Sequence, residues 1–145
     1  MAFTQGRSNG AVTVLNPAPA REIPETLLSL ANIVVPNETE SAAIGGTKNL
    51  LNLGAATVIT TLGADGACIE TNSSTTHIAP HKVTPIDTVG AGDAFIGATC
   101  AELSRGASIE EAARMGAVAG ALATTVKGAV PSLPTRQAVL AAQKS

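Results

Sequence analysis

Aromatic residues are almost missing from this 145-residue chain, which has no Trp, no Tyr and only two Phe. Its 45% hydrophobic content is therefore carried by small aliphatic groups, alanine and valine above all. Such side chains suit close helix-on-sheet packing, and the length suffices for one domain with a real core. Charge of either sign is also scarce. Nine Lys and Arg against eleven Asp and Glu leave a net charge of −2, which offers no basic field for nucleic acid. No run reaches the ~18 apolar residues of a membrane span. The most apolar stretch, 117–123, is bounded by Arg114 and Lys127 and reads as a core helix. Cysteine is limited to Cys68 and Cys100, with no CxxC pair, which predicts free thiols in a reducing compartment. Residues 1–10 hold no apolar signal-peptide core, so a cytoplasmic location is expected. No internal repeat, low-complexity linker or Ser–His–Asp arrangement is present.

The patterning that remains alternates between strand and helix. Residues 1–10 are polar and could close a helix. Strands are predicted at 11–15, 32–35 and 56–61, with helices at 24–30, 37–44 and 47–53 between them. Alternation of this kind implies parallel pairing in a three-layer α/β sheet. The pattern then changes. Gly63-Ala64-Asp65-Gly66 forms a turn, and 67–70 with 75–79 reads as a hairpin around a polar loop. Three helices follow, at 91–103, 108–125 and 135–143, with Gly128 and Pro131 breaking the chain between the last two. Ser108 with Glu111, and Asn37 with Glu40, have capping-box spacing. His77 and His81 have i, i+4 spacing, but Pro80 between them argues against a metal-binding helix and for two exposed loop histidines.

The stretch 83–98 concentrates the chemistry. Pro85, Asp87 and Thr88 form a turn, Gly90-Ala91-Gly92 keeps the backbone bare, and Asp93 stands where a small, apolar helix begins. Unpaired N–H groups and the positive end of the helix dipole make such a turn an anion site. A carboxylate beside it suits phosphoryl transfer to a hydroxyl. The dinucleotide fingerprint fails here, because Phe95 occupies the third glycine position. A P-loop fails too, for no Lys follows the glycines.

Asp87-Thr88-Val89-Gly90-Ala91-Gly92-Asp93 resembles the signature of the ribokinase (PfkB) family of carbohydrate kinases. Asn16-Pro17-Ala18-Pro19-Ala20 and Pro36-Asn37-Glu38-Thr39-Glu40 are similar to its ribokinase branch. The resemblance runs along nearly the whole chain but covers only the later half of the family. It implies a partial ribokinase-like α/β/α sandwich in which residues 1–145 form the C-terminal nucleotide-binding and catalytic portion. The early strands, lid and sugar-binding residues would lie before Met1.

The roles implied by the resemblance are specific. Asp93 would be the base that takes a proton from the sugar hydroxyl, and Gly90, Ala91 and Gly92 would form the anion hole. Asn37, Thr61 and Gly63 would contact nucleotide, and Glu40 would hold Mg²⁺ through water. Asp87, with the backbones of Val89, Ala123, Val126 and Gly128 and with Ser132, would cage a monovalent cation, K⁺. The reaction implied moves the γ-phosphate of ATP to a pentose hydroxyl, ribose to ribose 5-phosphate foremost. Each role has a plainer counterpart: Asp93 as a dipole-facing carboxylate, Asn37 and Glu40 as a cap, Asp87 as a turn former, Thr61 and Gly63 as a strand exit. Two departures from the family stand out. Ala117 replaces a frequent Asn or His near the adenine, and Thr125-Val126-Lys127-Gly128 stands where many relatives read Thr-Arg-Lys-Gly. The alternative function is a truncated, non-catalytic fragment that binds nucleotide weakly, self-associates or pairs with a missing N-terminal half. The chain alone is expected not to phosphorylate ribose.

Overall fold

The computed structural model describes residues 1–144, which divide into two compact units. Met1–Leu62 with Cys68–His77 make up the first, and Gly63–Ala67 with the chain from Ile78 onward the second.

The first unit follows the alternation in the sequence. Its order is α1 (Ala2–Ser8), β1 (Val14–Leu15), α2 (Glu25–Leu28), β2 (Ile33–Val34), α3 (Glu38–Ala43), α4 (Thr47–Asn52) and β3 (Thr57–Thr61), before the strands β4 (Ala67–Glu70) and β5 (Thr75–Ile78). The five strands lie in the order β1-β2-β3-β4-β5. The first three are parallel, with Val14 opposite Ile33 and Ile33 opposite Thr57. Both residues of β2 and the middle of β3 are buried, as in strands covered on two faces. Leu28, Ala31, Val34, Leu50, Leu51, Ala55 and Val58 form the core, with Phe3, Leu15 and Ile23 packed against it. At the hairpin, Thr71 N donates to Ser74 O at 2.9 Å.

The strand predicted at 11–15 is reduced to Val14–Leu15, and side chains explain the loss. Thr13 N donates to Asn32 Oδ1 at 2.9 Å, and Thr13 Oγ1 donates to Leu30 O at 2.6 Å while accepting from Asn32 N at 3.0 Å. The side chains of Thr13 and Asn32 take over bonds that a longer ladder would use. Val12, just before, is exposed.

The second unit is helical. A single 3-10 turn at Gly63–Asp65 is followed, past Ile78, by α5 (Ala91–Leu103), α6 (Ile109–Ala123), α7 (Ala129–Ser132) and α8 (Arg136–Ala142). A Cβ on Gly116 would meet Phe95 O at 2.9 Å as well as Thr99 Oγ1, and one on Gly120 would lie 3.1 Å from Ala91 O. Bare α-carbons thus let α6 run antiparallel against α5 at close range. The sequence reading did not foresee α7. Gly128 caps it at φ 90°, and Pro131 fits because a first helical turn needs no N–H from it. His77 lies exposed on β5 rather than in a loop. No described helix is long and apolar enough to cross a membrane.

Candidate active site

Two clusters of the expected residues form, one in each unit. In the first unit, β2 runs into Pro36, and Thr61 N at the end of β3 donates to Pro36 O at 3.0 Å. A parallel bridge pairs Asn37 with Thr61. Asn37 then caps α3. Its Oδ1 accepts from Glu40 N at 2.8 Å, and Glu40 Oε2 accepts from Asn37 N at 2.8 Å. This capping box uses one oxygen of Glu40 and the oxygen of Asn37. Among the described residues, Asn37 Nδ2 and Glu40 Oε1 make no hydrogen bond. A free amide donor and a free carboxylate oxygen therefore sit at the C-terminal end of the parallel strands, where open α/β sheets bind ligands. One carboxylate oxygen fits Mg²⁺ that keeps most of its water. Beneath them, hydroxyls that sequence reasoning did not single out hold the helices to the sheet: Ser41 Oγ lies 3.4 Å from Thr47 Oγ1, and Thr47 Oγ1 lies 3.2 Å from Thr60 Oγ1.

In the second unit, the turn before α5 is built from Ile86 to Gly90. Gly90 is the N-cap at φ 84°, ψ −4°, a left-handed conformation. A Cβ there would also fall 3.0 Å from Ala129 Cα, so both backbone and space call for glycine. Ala91 N donates to Thr88 O at 3.2 Å and Ala94 N to Gly90 O at 2.9 Å. Between them, the N–H groups of Gly92 and Asp93 have no acceptor among the described residues. Among the described residues no side chain caps the start of this helix. Two free donors at the N-terminus of a 13-residue helix are an anion-binding arrangement. The Asp93 carboxylate is exposed, without a hydrogen bond or ion pair among the described residues. Residue Asp93 is among those lining a cavity of about 350 Å³, with Gly97, Ala101, Met115, Leu133 and Val139.

Asp87 makes the contact that sequence spacing could not show. Its Oδ2 accepts from Gly128 N at 2.9 Å, across 41 positions, and its Oδ1 accepts from Val89 N at 3.0 Å. These backbone donors, Gly128 first and Val89 second, hold the Asp87 carboxyl below the usual carboxylate range. Ile86 N and Asp87 N both donate to Thr124 O, at 2.7 and 3.0 Å. Of the residues expected around a monovalent cation, Val89 and Val126 are exposed and Ala123 and Ser132 are buried. Ser132 Oγ donates to Ala129 O at 2.8 Å, leaving its lone pairs free. The donor set is oxygen-only, and a carboxylate with about four lone-pair sites can bind two N–H groups and still face an ion. The set therefore fits a hard, weakly held cation. Gly63 lies exposed at the start of its 3-10 turn. Burial pushes both cysteine thiols up, Glu70 adding to the effect on Cys68, which disfavours a nucleophilic thiolate.

The fold is α/β, with parallel pairing among its first three strands and, in the second unit, a glycine turn that opens α5 beside an exposed carboxylate. The profile described as pfkB family carbohydrate kinase matches residues 1–136, and the chain belongs to that family. It is 38% identical over 151 aligned positions to a ribokinase of Staphylococcus aureus, covering 95% of this chain and 50% of that protein. The structure of Arabidopsis thaliana ribokinase complexed with ribose and ATP superposes at a TM-score of 0.90 and 28% identity, over 99% of this chain and 51% of that one. Aminoimidazole riboside kinase from Salmonella enterica, complexed with aminoimidazole riboside and an ATP analogue, gives 0.90 and 29%, over 99% and 56%. The chain thus spans about half the length of the relatives it matches.

Proposed function

We propose that this chain is the nucleotide-binding and catalytic portion of an ATP-dependent sugar kinase that phosphorylates a pentose hydroxyl, ribose to ribose 5-phosphate. The observation that carries the reading is the pair of unbonded N–H groups at Gly92 and Asp93 beside the unpartnered Asp93 carboxylate. In this reading the sugar O–H gives its proton to Asp93, the oxygen attacks the γ-phosphorus, and the bond to the β-phosphate oxygen breaks to release ADP. The Gly90-Ala91-Gly92 turn takes up charge on the moving phosphoryl group. Asn37, Thr61 and Gly63 hold the nucleotide. Glu40 would hold Mg²⁺ through water, and the metal would supply charge neutralisation at the phosphates. Asp87, with the carbonyls of Val89, Ala123, Val126 and Gly128 and with Ser132, would hold K⁺. The location is cytoplasmic.

The half-length match favours a second reading, in which the chain binds nucleotide without turning over, alone or paired with another portion of the domain. Titration with ATP and Mg²⁺, then a coupled ADP-release assay with ribose, tests both. Ribose-dependent release that disappears in Asp93→Asn supports the kinase reading and overturns the second. Binding without release is the result expected of the chain alone under either, and no binding at all sinks both.

A further inference from the structure

We propose that Asp87 is a positioning residue for the phosphate turn, acting through the N–H groups of Gly128 and Val89 and independently of any cation. The inference rests on the reading of the turn at 90–93 as a phosphate site. One oxygen of Asp87 holds its own turn at Val89, and the other holds the turn that opens α7 at Gly128. The backbone on either side of this clasp is tied to a third element, since Ile86 and Asp87 both donate to Thr124 O just past the end of α6. The turn ends at Gly90, whose α-carbon is so near Ala129 that a Cβ would meet it at 3.0 Å. The left-handed Gly90 sets the direction in which the chain enters α5, and so where the two unpaired N–H groups that follow are held. Among the described residues no side chain caps α5, and the one local bond around Gly90 is Ala91 N to Thr88 O. A second constraint comes from the close approach of Ala129, and its neighbour Gly128 is where the clasp attaches. Both carboxylate oxygens are engaged by protein donors, so the clasp needs no ion to form.

The role differs from cation ligation in what it requires. A residue that serves only as a cation ligand organises the turn when the ion is present. A clasp organises it in any salt. Alanine removes both bonds. Asparagine keeps one, because its amide oxygen can accept from a single N–H while its NH₂ group opposes the other donor.

The test uses the isotopically labelled 145-residue chain in choline chloride and in potassium chloride at equal ionic strength. Amide exchange is followed at Val89 and Gly128, and the amide shifts of Gly92 and Asp93 are followed during titration with inorganic phosphate. The parent should protect Val89 and Gly128 in both salts. Asp87→Ala should speed exchange at both by about tenfold or more and weaken the phosphate response of Gly92 and Asp93 similarly, with Asp87→Asn between the two. Unchanged amides along Phe95 to Thr99 show that α5 remains folded. Should Asp87→Ala unfold the helices, Asp87→Asn carries the same comparison. Protection at Val89 and Gly128 that appears only in potassium, or that survives Asp87→Ala, overturns the clasp. A parent whose Gly92 and Asp93 amides ignore phosphate overturns the phosphate reading, and the positioning role with it, whatever the exchange rates show.

Discussion

Arg136 grips Glu102 with two parallel bonds, Nε to Oε1 at 2.7 Å and Nη2 to Oε2 at 3.0 Å, across 34 positions of sequence. The pair ties α8 to the last turn of α5. The Glu102 side chain is only 10% exposed, while Arg136 is 48% exposed. Hydrogen bonding from Arg136 holds the Glu102 carboxyl below the usual range despite its burial. A carboxyl depressed in the folded state adds stability above its unfolded pKa of about 4.3, and that stability is lost as pH falls through the folded value. Arg136→Met should therefore lower the melting temperature by several degrees at pH 7. The gap between variant and parent should narrow steadily from about pH 4.3 downward. Thermal melts of both proteins across that range check the prediction, and a gap that widens in acid would contradict it.

Two glycine-to-alanine changes inside helices should have opposite signs. Gly97 on α5 has open space where a Cβ would go. Gly97→Ala should stabilise by about 0.5–1 kcal/mol through backbone entropy. Gly116 on α6 has Phe95 O and Thr99 Oγ1 in the way. Gly116→Ala should cost about 1–3 kcal/mol by prising α5 and α6 apart. Urea midpoints of the two variants measure both signs.

Glu40→Gln separates a helix cap from a metal site. Glutamine can still accept from Asn37 N, so the capping box survives and stability should stay within about 0.5 kcal/mol. Charge facing a water-held metal is lost, and the Mg²⁺ concentration needed for ATP binding should rise about 10–100-fold. Equal Mg²⁺ dependence in parent and variant would reduce Glu40 to a cap.

Asp93→Asn should leave the ATP dissociation constant of the chain nearly unchanged, since the N–H donors at the turn belong to the backbone. In a version of the protein that turns over, the same change should lower turnover by about 10²–10⁴. Calorimetry on the variant and an ADP-release assay measure the two effects separately. Turnover within tenfold of the parent would remove Asp93 from the role of base.

Potassium should raise ATP affinity where lithium and sodium do not, measured in the three chlorides at equal ionic strength. The motivation is the oxygen-only set around Asp87 and Ser132. Identical affinities would leave Asp87 with its two backbone donors alone.

Short-range features were legible in the residues. Both capping boxes, Asn37 with Glu40 and Ser108 with Glu111, form where the spacing predicts them. A cap closes within one helical turn, so three intervening bonds' worth of backbone decide it. The start and end of α5 were legible for the same reason: a glycine cap on one side, a run of helix-compatible residues within, and a turn at Ser104 on the other. Parallel pairing of the first three strands followed from alternation, because parallel strands need a crossover between them. The glycine turn before Asp93 was visible as a motif, and so was the family.

Tertiary structure decided what depends on distant partners. The length of β1 was set by Asn32 reaching Thr13, and α7 formed because Pro131 falls where no N–H is required. Asp87 reads in the sequence as a turn former, and only packing brings Gly128 to its second oxygen. Glu102 and Arg136 carry no motif at all, yet they join two helices. Local backbone chemistry is written in a few adjacent residues, whereas a bond across 34 or 41 positions exists only once the intervening helices have packed and brought its ends together.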